Sequence, residues 1–276
     1  MTIQISREML LPNCRVAALK AGGSGTVIYC KENKDKEFST YVLTNFHVVA
    51  NNVEVKKKWS PLLKHDVKMD FLTSVDVHFF KYQYQSRAVG VTSIDADIMA
   101  YDPDHDLALV KLRDGDKAPA VAKLYPKGKE NDLRLGMPVV AIGAAMGEPP
   151  VLTVGRLSQF AREIDNKEYW LSTAPTIFGN SGGALYLEET EELIGVPARV
   201  VVAMLGFSPD AITHLSFSIP ITRVYEFLDD QMFRFVYDSA FTEEGEAEAR
   251  DSKRTDEELK IAAKSSAGEE EGEVDG

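Results

Sequence analysis

The 276-residue sequence is poor in cysteine, in unbroken apolar stretches and in positive charge. Two cysteines, Cys14 and Cys30, are too few for a disulfide framework. They lie symmetrically about Gly22, where a hairpin would let them face one another, but two reduced, packed thiols are the expectation. Charged residues interrupt every hydrophobic run before the roughly 20 apolar residues a membrane-crossing helix needs. A soluble protein with no membrane partner is therefore expected. The segment Met1 to Asn13 does not combine a basic stretch, an apolar stretch and a cleavage site, which predicts a cytoplasmic location. The formal charge is −12, of which residues 243–276 carry −8, with 13 Asp/Glu against 5 Lys/Arg. The remainder lacks the positive field that would gather phosphates, so nucleic acid is not an expected partner.

From Arg15 to about Pro220 the sequence reads as short β-branched and apolar runs separated by Gly, Pro, Asn and Asp. Runs such as Thr40 to Leu43, Leu107 to Leu112, Pro138 to Ile142 and Gly183 to Leu187 are strand-length and lack helical period, which predicts an all-β fold, a barrel or sandwich. Lys56-Lys57-Lys58-Trp59 and Phe79 to Tyr84 read as a solvated loop and a strand face. After Pro220 the period changes. Ile221, Val224, Tyr225, Leu228, Met232, Phe235 and Val236 recur at three- and four-residue steps, predicting an amphipathic helix over about 221–239. Residues 243–276 hold too little apolar area to offset chain entropy, so a mostly disordered acidic tail is expected, with a weak helix around Asp256 to Lys264.

Chemistry concentrates in Phe178-Gly179-Asn180-Ser181-Gly182-Gly183-Ala184. Glycines around a serine let successive backbone N–H groups point into one cavity, which is what an oxyanion requires. Gly179 and Ser181 are the candidate donors. A serine hydroxyl needs a base, and the base needs an orienting group. His47, after the run Tyr41 to Phe46, and Asp106, before Leu107 to Leu112, have the apolar settings that hold such groups in place. His65 and His78 have no metal-ligand spacing to Cys, Asp or Glu, so no metal is expected.

The order His, Asp, Ser, with these neighbourhoods, resembles the trypsin-like serine peptidases, and most closely their HtrA/Deg-type branch. The resemblance rests on Gly23 to Ile28, Leu43 to Val49, Asp104 to Val110, Leu135 to Gly143 with Thr153 to Ser158, Gly179 to Ala184, and Leu215 to Pro220. It implies two packed six-stranded antiparallel β-barrels, the first over about 15–115 and the second over about 130–220. Residues 1–242 would then be one protease domain, and the polar remainder too short for the PDZ domains this branch commonly carries. It implies a serine endopeptidase acting on protein or peptide substrates without metal or organic cofactor, and it leaves room for a homo-oligomer. Substrate would lie along the strand Leu215 to Phe217, with Ser216 and Phe217 beside it. Thr176, Ile177 and Ser218 would line the specificity pocket. The position where trypsin carries its acidic pocket residue is Pro175 here, so cleavage after small or medium apolar residues is expected.

Two other readings compete. In the first, the same barrels serve an inactive protease-like binding or scaffold protein. Alternatively, Gly179-x-Ser181-x-Gly183 fits the nucleophile elbow of α/β-hydrolases, with Asp210 and His214 as the later partners of an esterase.

Overall fold

The computed structural model describes residues 6–60, 65–83, 87–205 and 208–253. They divide into two compact units, one formed by residues up to 52 together with 72–227, the other by 53–71 and the chain from 228 onward. The first contains both barrels.

The first barrel begins with β1 (Asn13–Ala17), β2 (Gly22–Glu32) and β3 (Phe38–Thr44). The four-residue helix Phe46–Val49 follows. β4 (Val53–Ser60) and β5 (His65–Leu72) form a separate two-stranded sheet. Lys56 to Trp59 are thus strand and not the expected loop. β6 (Val75–Gln83), β7 (Arg87–Asp102) and β8 (Leu107–Leu112) complete a closed ring in the order β1-β2-β3-β8-β7-β6. Alternation dictates the register. In β6, Val75, Val77 and Phe79 are buried while Asp76 is exposed. In β8, between β3 and β7, Leu107 to Val110 are all fully buried. Each of the Leu and Val side chains contributes about 1.5–3 kcal/mol of burial.

The second ring uses β10 (Pro138–Gly143), β11 (Val151–Ile164), β12 (Lys167–Ser172), β13 (Ala184–Leu187), β14 (Glu192–Leu205) and β15 (Ser208–Pro220). Its order is β13-β10-β11-β12-β15-β14, closed by pairing of β13 with β14, and the two-residue β9 (Lys123–Leu124) adds to β14 in parallel. The expected pair of six-stranded barrels is present. Val139 to Ile142, Leu185, Leu193 and Ile194 are fully buried in it.

Cys14 is buried opposite Gly25, not Cys30, and burial pushes its thiol pKa up. Both cysteines are free thiols.

The C-terminal helix spans Ile221–Asp230, shorter than the periodicity implies. Met232 turns to positive φ (58°), and the N–H groups of Phe233 and Met232 donate to the carbonyls of Leu228 (2.7 Å) and Asp229 (3.1 Å). This is the double reverse hydrogen bond that ends many helices, built here without its usual glycine. Residues 243–253 are helical, correcting the expectation of disorder for that part of the tail. The cause is Glu246, which is buried, accepts from Arg234 Nε at 2.6 Å and from the Phe235 N–H at 3.2 Å. The helix expected around Asp256 to Lys264 lies outside the described residues.

Candidate active site

Asp106 occupies the turn between β7 and β8 at φ 57°, a left-handed conformation that aspartate tolerates better than most residues. Its carbonyl accepts from the Phe46 N–H (3.1 Å) and from Asn45 Nδ2 (2.9 Å). Its carboxylate meets His47 twice, accepting the backbone N–H at 2.9 Å through Oδ1 and facing Nδ1 at 2.8 Å through Oδ2. A carboxylate only accepts, so Nδ1 carries the proton and the Nε2 lone pair remains as a base. The short helix after β3 thus starts with one N–H satisfied by the same group that orients its imidazole. His47 is 47% exposed at its side chain and Asp106 13%, an open base on a screened anchor.

Beside Asp106, Asp102 at the end of β7 accepts the N–H groups of Asp104 and His105 and meets His105 Nδ1 at 2.6 Å. Burial would raise its pKa, but these bonds and the imidazole charge outweigh it and hold the carboxyl below its ordinary value. The pair stiffens the turn that presents Asp106.

Ser181 stands on the loop between β12 and β13. That loop is fixed by backbone groups. The Phe178 carbonyl accepts from the Met146 N–H (2.8 Å), the Asn180 N–H donates to Ile177 (3.1 Å), and the Asn180 carbonyl accepts from the Gly183 N–H (3.0 Å). A trans peptide directs its N–H opposite its C=O, so Gly179 N–H and Ser181 N–H turn away from those contacts. Among the described residues neither donates to a protein acceptor. Gly179 (φ 99°) and Gly182 (φ 85°) are in conformations that L side chains resist, and a Cβ on Gly182 would collide with the Ser24 carbonyl oxygen and Thr44 Oγ1.

The first barrel reaches across to this loop through Ser24 of β2. Its N–H donates to the Ser181 carbonyl (2.7 Å), and its hydroxyl donates to the Gly179 carbonyl and accepts the Ala144 N–H, both at 2.7 Å. No reading of the sequence singled out Ser24, whose only signal is its place among the turn glycines. Ser24→Ala removes both hydroxyl bonds and leaves buried groups unpaired. It is expected to slow modification of Ser181 by a fluorophosphonate about 10- to 100-fold, as small misplacements of reacting groups do, in a protein that remains folded by circular dichroism.

His47 and Ser181 line one pocket of about 380 Å³, with Thr176, Ile177, Phe178, Asn180 and Pro197 to Val200. The Ser181 hydroxyl donates a long bond, 3.4 Å, to the Ala198 carbonyl, and among the described residues none joins it to His47. Thr176 and Ile177 line this pocket. Ser216, Phe217 and Ser218 do not. Phe217 lies in β15 between Leu171 of β12 and Arg199 of β14, and Ser216 and Ser218 likewise have partners on both sides, so this stretch has no edge for a further strand. Ser216 and Ser218 are fully buried, and the Thr176 hydroxyl donates to Ser216 Oγ at 2.8 Å. The pocket wall is instead Pro197 to Val200, a bulged part of β14 whose register with β15 shifts around Ala198. Nor does the elbow reading fit. Ser181 leads into an antiparallel strand rather than a helix, and His214 is exposed and outside the pocket lining.

The trypsin-like peptidase domain model matches residues 23–196. The chain belongs to this family. A DegP-like probable periplasmic serine endoprotease of Pseudomonas fluorescens is 30% identical over 184 residues, 66% of this chain and 30% of the relative. Serine protease HTRA1 of Xenopus tropicalis is 28% identical over 233 residues, 82% of this chain and 39% of the relative. The chain thus spans about a third of the length of these curated relatives. Deg5 shares its fold, with a TM-score of 0.56 at 23% identity over 81% of this chain and 90% of Deg5. As a trypsin-like, HtrA-type chain it also loses the cytoplasmic assignment. Relatives from Pseudomonas fluorescens, Pseudomonas fulva and Pseudomonas putida are named periplasmic, against the cytoplasmic location expected from the sequence. The expectation rests on the segment Met1 to Asn13 alone, and the pattern of one short segment does not fix a compartment.

Proposed function

We propose that this trypsin-like chain is a serine endopeptidase acting on protein substrates through an acyl-enzyme on Ser181. The observation that carries the reading is the two-point clamp of Asp106 on His47 in the pocket that also holds Ser181. The hydroxyl would leave the long bond to Ala198 for His47, and such contacts commonly tighten only with substrate bound. Ser181 Oγ attacks the scissile carbonyl carbon while His47 Nε2 takes its proton. The oxygen becomes an anion facing Gly179 N–H and Ser181 N–H, donors worth about 3–4 kcal/mol of barrier each. The C–N bond breaks as His47 returns the proton to the leaving amine. Water then attacks the ester, again through His47, and frees the acid and the serine.

Among the described residues at the pocket, Ala198 to Val200 is the stretch along which an extended peptide would pair, in the manner of strand addition, since the Pro197 carbonyl already accepts the Gly182 N–H. With Thr176 and Ile177 beside it, and no carboxylate among the lining residues, the pocket suits a small or medium apolar side chain. A homo-oligomer is compatible with this reading.

The test is reaction of the purified protein with a fluorophosphonate at pH 8, alongside digestion of casein. Labelling of wild type and none of Ser181→Ala is expected. A folded wild type that neither labels nor cleaves supports the scaffold reading, in which the hydroxyl stays on Ala198.

A further inference from the structure

Among the described residues lining the pocket, Arg199 is the one with a permanent charge. It follows Ala198, whose carbonyl holds the Ser181 hydroxyl, on the bulged stretch of β14 that forms the pocket wall. Besides the Asp106 carboxylate, whose charge it feels, its guanidinium has two very different neighbours. On one side it lies 5.4 Å over the ring of Tyr169, which is buried and packs edge-on against Phe217. On the other, Nη1 donates to Asp165 Oδ2 at 2.6 Å. Asp165 sits on the two-residue turn between β11 and β12, where Asp165 (φ 52°) and Asn166 (φ 60°) form a tight hairpin, and its side chain is 72% exposed.

The buried ring gives the guanidinium one fixed packing partner, while the Asp165 carboxylate is solvated and weakly tied. A planar fork held at one face and capped by an exchangeable carboxylate is pre-organised for another carboxylate. Among the described residues lining the pocket no other Lys or Arg is present, so an acidic substrate side chain that enters it meets its attraction at Arg199.

We propose that Arg199 is a specificity-determining residue that selects peptides with an aspartate or glutamate side chain close to the scissile bond. The inference rests on the peptidase reading of the same pocket. Asp165 then acts as a placeholder that the substrate carboxylate displaces.

Paired peptides that differ only by Glu or Gln at each position flanking an apolar cleavage residue test this. For wild type, kcat/KM is expected to favour Glu by about tenfold at one position, equal to about 1.4 kcal/mol. The ratio falls to near one in Arg199→Gln, is partly kept in Arg199→Lys, and rises in Asp165→Asn, which frees the fork. In Arg199→Glu the preference passes to a lysine at that position. A wild-type ratio near one at every position overturns the proposal, as does a Glu preference that survives Arg199→Gln or falls in Asp165→Asn. Binding of the same peptides to Ser181→Ala, with and without Arg199→Gln, is measured in parallel by fluorescence anisotropy and needs no turnover. Discrimination there without cleavage by wild type would sink the peptidase reading and keep Arg199. Cleavage without discrimination would do the reverse.

Discussion

Ser181→Ala is expected to lower kcat on a peptide substrate by about a millionfold while leaving the fold intact, because the hydroxyl, its base and its anchor act as one unit. The fold should survive because the side chain makes one long hydrogen bond, to the Ala198 carbonyl, and the loop is held through backbone groups. A residual acceleration of about 10³–10⁴ over water is expected to remain, since the N–H groups of Gly179 and Ser181 persist in the variant. Single-turnover kinetics with an activated ester, compared with buffer alone, measure it. A loss of less than tenfold would mean that another group carries the attack.

Asp106→Asn is the second large effect, about 10⁴ in kcat. Asparagine tolerates the left-handed conformation at φ 57°, so the turn and its carbonyl bonds to Phe46 and Asn45 are retained. What changes is the group facing His47 Nδ1. An amide offers one oxygen where the carboxylate uses two, one on the backbone N–H and one on the ring. If the oxygen stays on the backbone, the NH₂ faces the ring and favours the tautomer that places the proton on Nε2, where it is useless as a base. The imidazolium formed in the reaction also loses its counter-charge. Asp106→Ala is a poorer probe, because it adds backbone strain to the loss of charge. The expected signature of Asp106→Asn is a collapse of kcat with KM changed little, and an unchanged thermal midpoint would separate it from misfolding.

The residues that meet at the pocket were legible because each sits in a short local pattern. A polar letter follows or precedes a buried run, as with His47 after β3 and Asp106 before β8, and glycines crowd the Ser181 loop. Which strand forms the pocket wall was not legible. Leu215 to Phe217 and Pro197 to Val200 are both short, mostly apolar stretches, and only pairing reveals that the first has neighbours on both sides while the second bulges around Ala198. Pro197 was the available hint, since proline lacks a ladder donor and favours bulges and edges. The end of the C-terminal helix was hidden for a related reason. Met232 fills the position where glycine normally announces the stop, so the apolar period appears to run on through Phe235. Glu246 looked like one more solvated acid until Arg234 and the Phe235 N–H were seen to enclose it.

Ser24 also bears on when the chain becomes dangerous to its neighbours. The nucleophile loop is made late in synthesis, and its shape depends on a hydroxyl and an amide contributed by a strand made more than 150 residues earlier. A half-finished or half-unfolded molecule holds Ser181 without the scaffold that arms it. In the proposed peptidase, cleavage would therefore begin with the docking of the two barrels and end with their separation, so that the contact that shapes the nucleophile loop also serves as its safety catch.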